Sequence, residues 1–254
     1  MGERPLLLEM DQVGKTFTGD VVALRGMSLK VNEGDFISLL GPSGCGKSTA
    51  LRLISDLMLP TQGKIRWSGD HASGDLGVVF QEPTLMPWAT VAQNVWLPFR
   101  LQGKSYNSVK DQVLEALKLV GLEKFLDSYP RELSGGMKMR VSIARALVTN
   151  PRLILMDEPF AALDEITRFK LNNDLLELKA QIGCTVIFVT HSVFESVFLS
   201  DRIVVMAARP GRVIQELTVE QPYPRDDEFR TSAEYAAHCR ATSDALHKAM
   251  GDAA

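Results

Sequence analysis

The chain carries the run Gly41-Pro42-Ser43-Gly44-Cys45-Gly46-Lys47-Ser48, followed by Thr49, which matches the pattern G-x-x-x-x-G-K-[ST] of a phosphate-binding loop, or P-loop. A buried-strand pattern, Phe36–Leu40, precedes the run, and a helical pattern, Lys47–Ile54, follows it. The glycines let successive main-chain N–H groups point at phosphate oxygens, and the start of the helix adds positive potential. We expect Lys47 to reach the β- and γ-phosphates of a nucleotide and Ser48 to ligate Mg²⁺. A glycine-rich turn with a chance lysine is the alternative, which the strand–loop–helix context disfavours.

A second buried-strand pattern, Leu153–Met156, ends in two carboxylates, Asp157 and Glu158. In a P-loop protein, Asp157 is expected to hold the Mg²⁺ shell, and Glu158 to polarise the attacking water as general base. An ordinary strand with acidic residues at its solvent end remains the alternative while these two residues are considered alone.

A second anion site is indicated by Leu133-Ser134-Gly135-Gly136, which precedes a helical pattern at Met137–Val148. A serine hydroxyl and glycine N–H groups at a helix start favour an anion. Ser-Gly-Gly by itself is more often a plain loop. One chain therefore shows two phosphate-binding motifs without any sign of two nucleotides.

The composition is that of a globular protein. Of 254 residues, 45% are hydrophobic and 23% charged, which argues against disorder. The net charge of −3, without a run of one sign, disfavours a nucleic-acid partner. No apolar run approaches the roughly 18 residues that span a bilayer, and no signal peptide is visible, which predicts a cytoplasmic chain. The three cysteines are expected to be reduced, and the four histidines have no metal-ligand spacing.

Strand and helix patterns alternate along the chain, which predicts an α/β fold with a mostly parallel sheet. Strand patterns near the N-terminus, at Leu6–Met10 and Leu29–Val31, add an antiparallel β subdomain. Helical spacing over about 83–148 predicts a helical lobe inserted into the core. We expect one domain over residues 1–222 and a helical tail over 223–254.

The order and spacing of six motifs resemble those of ABC-transporter ATPases over roughly residues 6–216. The motifs are the P-loop, Gln81, Leu133–Gly136, Leu153–Glu158, Ala162-Leu163-Asp164 and His191. The resemblance implies the ABC ATPase fold, ATP and Mg²⁺ as ligands, and a dimer of two copies packed head to tail. Each ATP then lies between one chain's P-loop and the other chain's Ser134–Gly136, which accounts for the second anion site.

The resemblance also implies roles for single residues. Phe17 stacks on adenine, although a core or turn phenylalanine is the alternative. Gln81 senses the γ-phosphate and Mg²⁺, and Asp164 lies in the loop that contacts the other subunit. His191 is the switch histidine at the γ-phosphate.

Three positions depart from the family's pattern. Met139 stands where a glutamine is usual, Ala161 where glycine or serine is common, and Asp56 where glycine is usual. None of the three is an expected phosphate ligand, so they bear on dimer geometry and not on activity.

Two segments resemble importers of the nitrate/sulfonate/taurine group: Leu85-Met86-Pro87-Trp88 with Asn94-Val95, and Ala208–Arg212. The resemblance implies a separate membrane permease, a solute-binding protein beside it, and a peripheral place on the cytoplasmic face of the inner membrane. An exporter ATPase of a split transporter and a non-transport ABC ATPase are the alternatives. The apolar run from Leu85 to Trp88 either packs inside the lobe or forms part of a groove for a permease helix.

Overall fold

Strands and helices alternate along residues 4–69, 74–223 and 225–251, the part of the chain that the computed structural model describes. The elements are, in order, β1 (Leu6–Phe17), β2 (Val21–Asn32), β3 (Phe36–Leu40), α1 (Lys47–Ile54), β4 (Gln62–Trp67), β5 (Leu76–Val79), α2 (Val91–Leu101), α3 (Lys110–Leu119), α4 (Gly135–Leu147), β6 (Leu153–Asp157), α5 (Glu165–Ile182), β7 (Thr185–Thr190), α6 (Val193–Leu199), β8 (Arg202–Ala207), β9 (Arg212–Thr218), α7 (Asp227–Arg230) and α8 (Ala233–Gly251). None of the helices within these residues is both long and apolar enough to span a lipid bilayer.

Two compact units make up the chain. The first, here called the P-loop unit, joins residues 1–71 to residues 185–254, and the second, here called the middle unit, is formed by residues 72–184. The middle unit therefore interrupts the P-loop unit in sequence.

In the P-loop unit, β3 lies between β7 and β8 and is parallel to both. Every residue of β3 and of β7 is buried, which explains why apolar residues predominate in both strands instead of alternating with polar ones. The predicted bounds of β3 and α1 are confirmed. Antiparallel β9 pairs with β8 and forms a hairpin with it.

A separate antiparallel sheet of the P-loop unit has the strand order β2-β1-β4. The predicted strands were too short, because β1 and β2 each extend over 12 residues. Register shifts interrupt the pairing of β1 with β2, and Gln12 within β1 has a φ of 48°. Such irregular positions break the alternation of apolar and polar residues by which a strand is recognised in a sequence.

In the middle unit, β5 and β6 pair in parallel, with three α-helices between them in sequence. Those helices, α2, α3 and α4, fall in the segment for which a helical lobe was expected. The longest helix of this unit, α5, follows β6 and ends at Gly183.

The C-terminal segment of the P-loop unit forms the helices α7 and α8. The residues Cys239, Thr242, Ala245 and Ala249 form the buried face of α8. This face packs against α6 and β8, so the segment is docked on the unit.

The β8–β9 hairpin turn reaches back to the P-loop. The Gly211 N–H donates to the Ala23 carbonyl over 3.1 Å, and the Gly211 carbonyl accepts from Arg25 N–H over 2.9 Å. A Cβ atom on Gly211 would lie 2.3 Å from the Cys45 carbonyl oxygen and 2.5 Å from that of Ala23. Only glycine allows this approach, so the turn supports the P-loop from a distant part of the sequence.

We expect Gly211→Ala to lower the free energy of unfolding by about 1–3 kcal/mol, because the new methyl group must displace main chain at Cys45 or Ala23. Thermal unfolding measures the change, at about 2–4 °C per kcal/mol for a chain of this size. Gly251→Ala is the matched control, because a Cβ there has no neighbour within 4 Å. Equal melting temperatures for the two variants would contradict the close contact.

Candidate functional site

The P-loop wraps around the lysine that it was expected to present. Gly46 is the N-cap of α1, with a left-handed φ of 89°. The Lys47 ammonium donates to the carbonyls of Gly41 over 2.7 Å and Pro42 over 3.2 Å. Lys47 is buried, whereas Ser43 and Ser48 are exposed. The loop thus keeps the aliphatic part of the lysine inside and turns its hydroxyl groups outward.

Cys45 fills the inside of the same loop. Its side chain is buried, and its sulfur lies 3.8 Å from the Lys47 ammonium. Burial raises the pKa of the Cys45 thiol, against the opposing effect of the Lys47 charge. Cys45 is therefore a packed, neutral thiol that helps to shape the loop.

The strand pairing brings His191 to the same sheet edge as the P-loop. Leu40, the last residue of β3, pairs with Thr190, the last residue of β7. Gly41 and His191 therefore leave neighbouring parallel strands at equivalent positions. His191 is exposed, and the carboxyl ends of parallel strands are the usual place for ligand-binding loops.

Hydrogen bonds fix the main chain on both sides of His191. The Thr190 hydroxyl bonds to the Glu195 carboxylate over 2.5 Å and accepts from the Ser192 N–H over 3.0 Å. The Ser192 hydroxyl caps α6 by accepting from the Glu195 N–H. We did not identify Thr190 or Glu195 from the sequence, although a carboxylate one helical turn after His191 was an available signal.

Phe17 ends β1 with 39% of its side chain exposed. It is therefore not a core residue, and the Lys15 ammonium lies 5.6 Å from the ring centroid. An exposed ring of this kind has a free face for stacking.

In the middle unit, Gln81, Asp157 and Glu158 meet at one sheet edge. Val79 pairs with Met156, so Gln81, just after β5, and Asp157, the last residue of β6, lie at the same ends of neighbouring parallel strands. Glu158 has a φ of 46°, an uncommon conformation for a residue with a side chain, and its carbonyl accepts from the Ala161 N–H. Backbone strain of this kind is concentrated at functional sites, which supports a role for the Glu158 carboxylate.

Two further candidate residues of the middle unit, Ser134 and Asp164, are helix N-caps. The Ser134 hydroxyl accepts from the Met137 N–H at the start of α4. Asp164 accepts from the N–H and hydroxyl of Thr167 at the start of α5, and these bonds hold the pKa of its carboxyl group below its usual value. A Cβ on Gly136 would lie 2.8 Å from Thr167 Cγ2, so the two helix starts are in contact.

The three departures from the family pattern occupy different environments. Met139 is buried, with its sulfur 3.6 Å from the Ser142 hydroxyl, whereas Ala161 is half-buried. Asp56 has a φ of 56°, which explains why glycine is usual there.

Comparison with known proteins identifies the family. The profile of the ABC transporter family matches residues 24–161, more than half of the chain. An ABC transporter ATP-binding protein from Methanocaldococcus jannaschii is 49% identical over 223 residues, which cover 86% of this chain and 82% of the relative.

Two relatives carry names that state a transported solute. The nitrate import ATP-binding protein NrtD of Synechocystis sp. is 43% identical over 85% of this chain and 83% of its own length. The aliphatic sulfonates import ATP-binding protein SsuB of Bacillus cereus is 42% identical over 87% of this chain and 89% of its own length.

Among solved structures, the dimeric ABC transporter cassette MJ0796 superposes with a TM-score of 0.72 and 34% identity. The match covers 85% of this chain and all of that cassette. The P-loop, the strand-end carboxylates and these similarities lead to one conclusion: the chain belongs to the ABC transporter family, as an ATP-binding subunit with the ABC ATPase fold.

Proposed function

We propose that this chain hydrolyses ATP to drive the import of a solute through a separate membrane permease, in a transporter of the nitrate/sulfonate/taurine type. The main support for the proposal is that the P-loop and His191 follow the ends of the paired strands β3 and β7. The import proteins for nitrate and aliphatic sulfonates among the relatives support the direction of transport.

The chemistry follows from the properties of the side chains. The P-loop N–H groups and Lys47 bind the β- and γ-phosphates, and Phe17 stacks on adenine. Glu158 accepts a proton from the attacking water, the water oxygen bonds to the γ-phosphorus, and the bond to the ADP oxygen breaks. Gln81 and His191 contact the γ-phosphate group and stabilise its developing charge.

The residues that would hold Mg²⁺ offer the oxygen ligands that this ion prefers: the Ser48 hydroxyl, the Gln81 amide and the Asp157 carboxylate. Ser48 is exposed in the first turn of α1, Gln81 follows β5, and Asp157 ends the paired strand β6. The ion would neutralise charge on the β- and γ-phosphates.

Two copies are proposed to work together. In each copy, Ser134, Gly135 and Gly136 form the exposed start of α4, and this helix start binds the γ-phosphate of the ATP held by the other copy. Asp164 contacts the other copy from the adjoining start of α5. The dimeric solved cassette supports this arrangement.

The loop from Leu85 to Trp88 is the proposed contact with the permease. Asn94 is buried and pins this loop: its side chain accepts from the Met86 N–H over 2.7 Å and donates to the carbonyls of Met86, Ala89 and Thr90. Trp88 nevertheless has 76% of its surface exposed, so this residue does not pack inside the lobe, whereas Leu85 and Met86 of the same run are half-buried. A rigid loop that displays a tryptophan is typical of an interface anchor.

A groove of about 490 Å³ lies beside the same segment and is lined by Phe80, Thr84, Leu97 and Leu101, among others. Arg145 donates to the carbonyls of Pro83 and Thr84 and so holds the start of the loop. We propose that a short permease helix binds to this surface, on the cytoplasmic face of the membrane. A separate solute-binding protein, which would not contact this surface, would select the solute.

We expect Glu158→Gln to keep ATP affinity and to lose about 10²–10⁴ in hydrolysis rate, because the base is removed without a change of shape. ATP should then trap a dimer that is visible by size-exclusion chromatography. Glu115→Gln, at an exposed position of α3, is the matched control. Turnover near that of the wild type in Glu158→Gln would assign the base to another residue.

Ser134→Arg and Lys47→Ala are each expected to be inactive alone, because every site of either homodimer lacks one half. A mixture of the two should recover hydrolysis, because one of the two sites in a mixed dimer is intact. Phosphate release measured against the mixing ratio tests this expectation. If photo-crosslinking with an ATP analogue joins Ser134 to the nucleotide held by its own chain, the head-to-tail dimer is wrong.

Trp88→Ala should leave folding, ATP binding and basal hydrolysis close to wild type, because the side chain contributes little to packing. Assembly with the permease, or hydrolysis stimulated by substrate in the assembled transporter, should fall sharply. Met250→Ala, another exposed apolar position, is the control. A strongly lowered melting temperature with normal assembly would instead make Trp88 a structural residue.

A further inference from the structure

The helix α6 begins two residues after His191 and has only seven residues, Val193–Leu199. A helix of this length is not stable by itself, so its position depends on contacts with the rest of the unit. The Thr190–Glu195 and Ser192 bonds join its first turn to β7. Whatever holds the rest of α6 therefore also limits the movement of His191.

The C-terminal end of α6 is capped by the segment that follows β9. Four successive carbonyls at this end, those of residues 197–200, all accept hydrogen bonds from two side chains. Arg225 donates to Val197 over 3.1 Å, to Phe198 over 3.0 Å and to Ser200 over 2.9 Å. The Tyr223 hydroxyl donates to the Leu199 carbonyl over 2.6 Å.

Arg225 is almost fully buried, with 4% of its surface exposed. It also donates to the carbonyls of Val219 and Gln221, so its guanidinium bridges α6 to the chain after β9. Burial lowers the pKa of Arg225, while nearby Tyr223 and Asp201 favour the charged form. The negative end of the α6 dipole offsets part of the cost of burying this cation.

The helices α7 and α8 add contacts with the body and the first turn of α6. The Arg230 guanidinium lies over the Phe198 ring, 3.5 Å from its centroid. The Tyr235 hydroxyl donates to the Phe194 carbonyl over 3.0 Å. The side chains of Tyr223, Arg225, Arg230 and Tyr235 therefore contact α6 from its first turn to its last carbonyl.

We infer that Tyr223, Arg225 and Tyr235 are positioning residues for hydrolysis: they hold α6, and through it His191, in the orientation needed at the γ-phosphate. This inference rests on the proposed role of His191. It assigns the C-terminal segment a part in turnover, because α6 cannot move without breaking bonds to this segment. The competing explanation is that the same bonds only fasten the C-terminal segment to the unit.

Tyr223→Phe and Arg225→Lys test the inference in the full chain. Tyr223→Phe removes the bond to Leu199 and also the hydroxyl that faces Asp201, but it keeps the ring beside Arg225. A lysine ammonium has three donors on one atom and cannot reach all the carbonyls that the guanidinium spans. We expect kcat for ATP to fall about 3- to 10-fold with KM unchanged, since misplacement of a catalytic group costs up to about 10²-fold.

Tyr106→Phe is the matched control, since Tyr106 lies in the middle unit, beside Trp96. Its kcat and KM should equal those of the wild type. The melting temperature of each variant is measured in parallel. If Arg225→Lys does not fold, the inference is tested with the kcat and KM of Tyr223→Phe alone. A lowered melting temperature with unchanged kcat in Tyr223→Phe and Arg225→Lys would overturn the inference. The hydrogen bonds of Tyr223 and Arg225 would then only fasten the C-terminal segment to the unit.

A double-mutant cycle with His191→Ala separates the inference from the proposed function. If Tyr223 and Arg225 act through His191, Tyr223→Phe should change the rate of phosphate release by less than about 2-fold in the His191→Ala background. The same loss in both backgrounds would overturn the inference while the role of His191 stands. If His191→Ala alone keeps the wild-type kcat, the proposed role of His191 is wrong and the inference fails with it.

Discussion

Main-chain hydrogen bonds hold β3 against β7 in a register that pairs Leu40 with Thr190. Both strands are buried along their whole length, so a slip by one residue would reverse the direction of every side chain in two packed layers. This register places Gly41 and His191 at one edge of the sheet. The P-loop, the start of α6 and the contacts of the C-terminal segment all depend on it.

The middle unit places its candidate residues by the same means. The β5–β6 register sets Gln81 beside Asp157, and two helix starts in contact set Ser134 near Asp164. Only Glu158, among the candidate catalytic residues, has a left-handed backbone. Its strain is sustained by the buried strand before it and by the hydrogen bond from the Ala161 N–H. Strand pairing, contact between helix starts and local backbone strain together position these five side chains.

Residues outside the motifs hold the motif loops in place. Gly211 supports the P-loop, Arg225 caps the helix after His191, and Asn94 pins the loop that displays Trp88. Each acts on main-chain carbonyl or N–H groups, which have fixed positions and a high cost when left unpaired. Loops that must bind phosphate or a partner are thus kept in shape by distant parts of the chain.

The family, the motif residues and the bounds of elements such as α1 and β3 can be predicted from the amino-acid sequence, because glycine patterns and apolar periodicity are local signals. The exposure of Trp88, the contact of Gly211 with Cys45 and the capping of α6 by Arg225 are visible only in the folded chain. The length of β1 likewise depends on its irregular pairing with β2. These features join residues that lie far apart in the chain, and packing and main-chain pairing bring such residues together only when the whole unit folds.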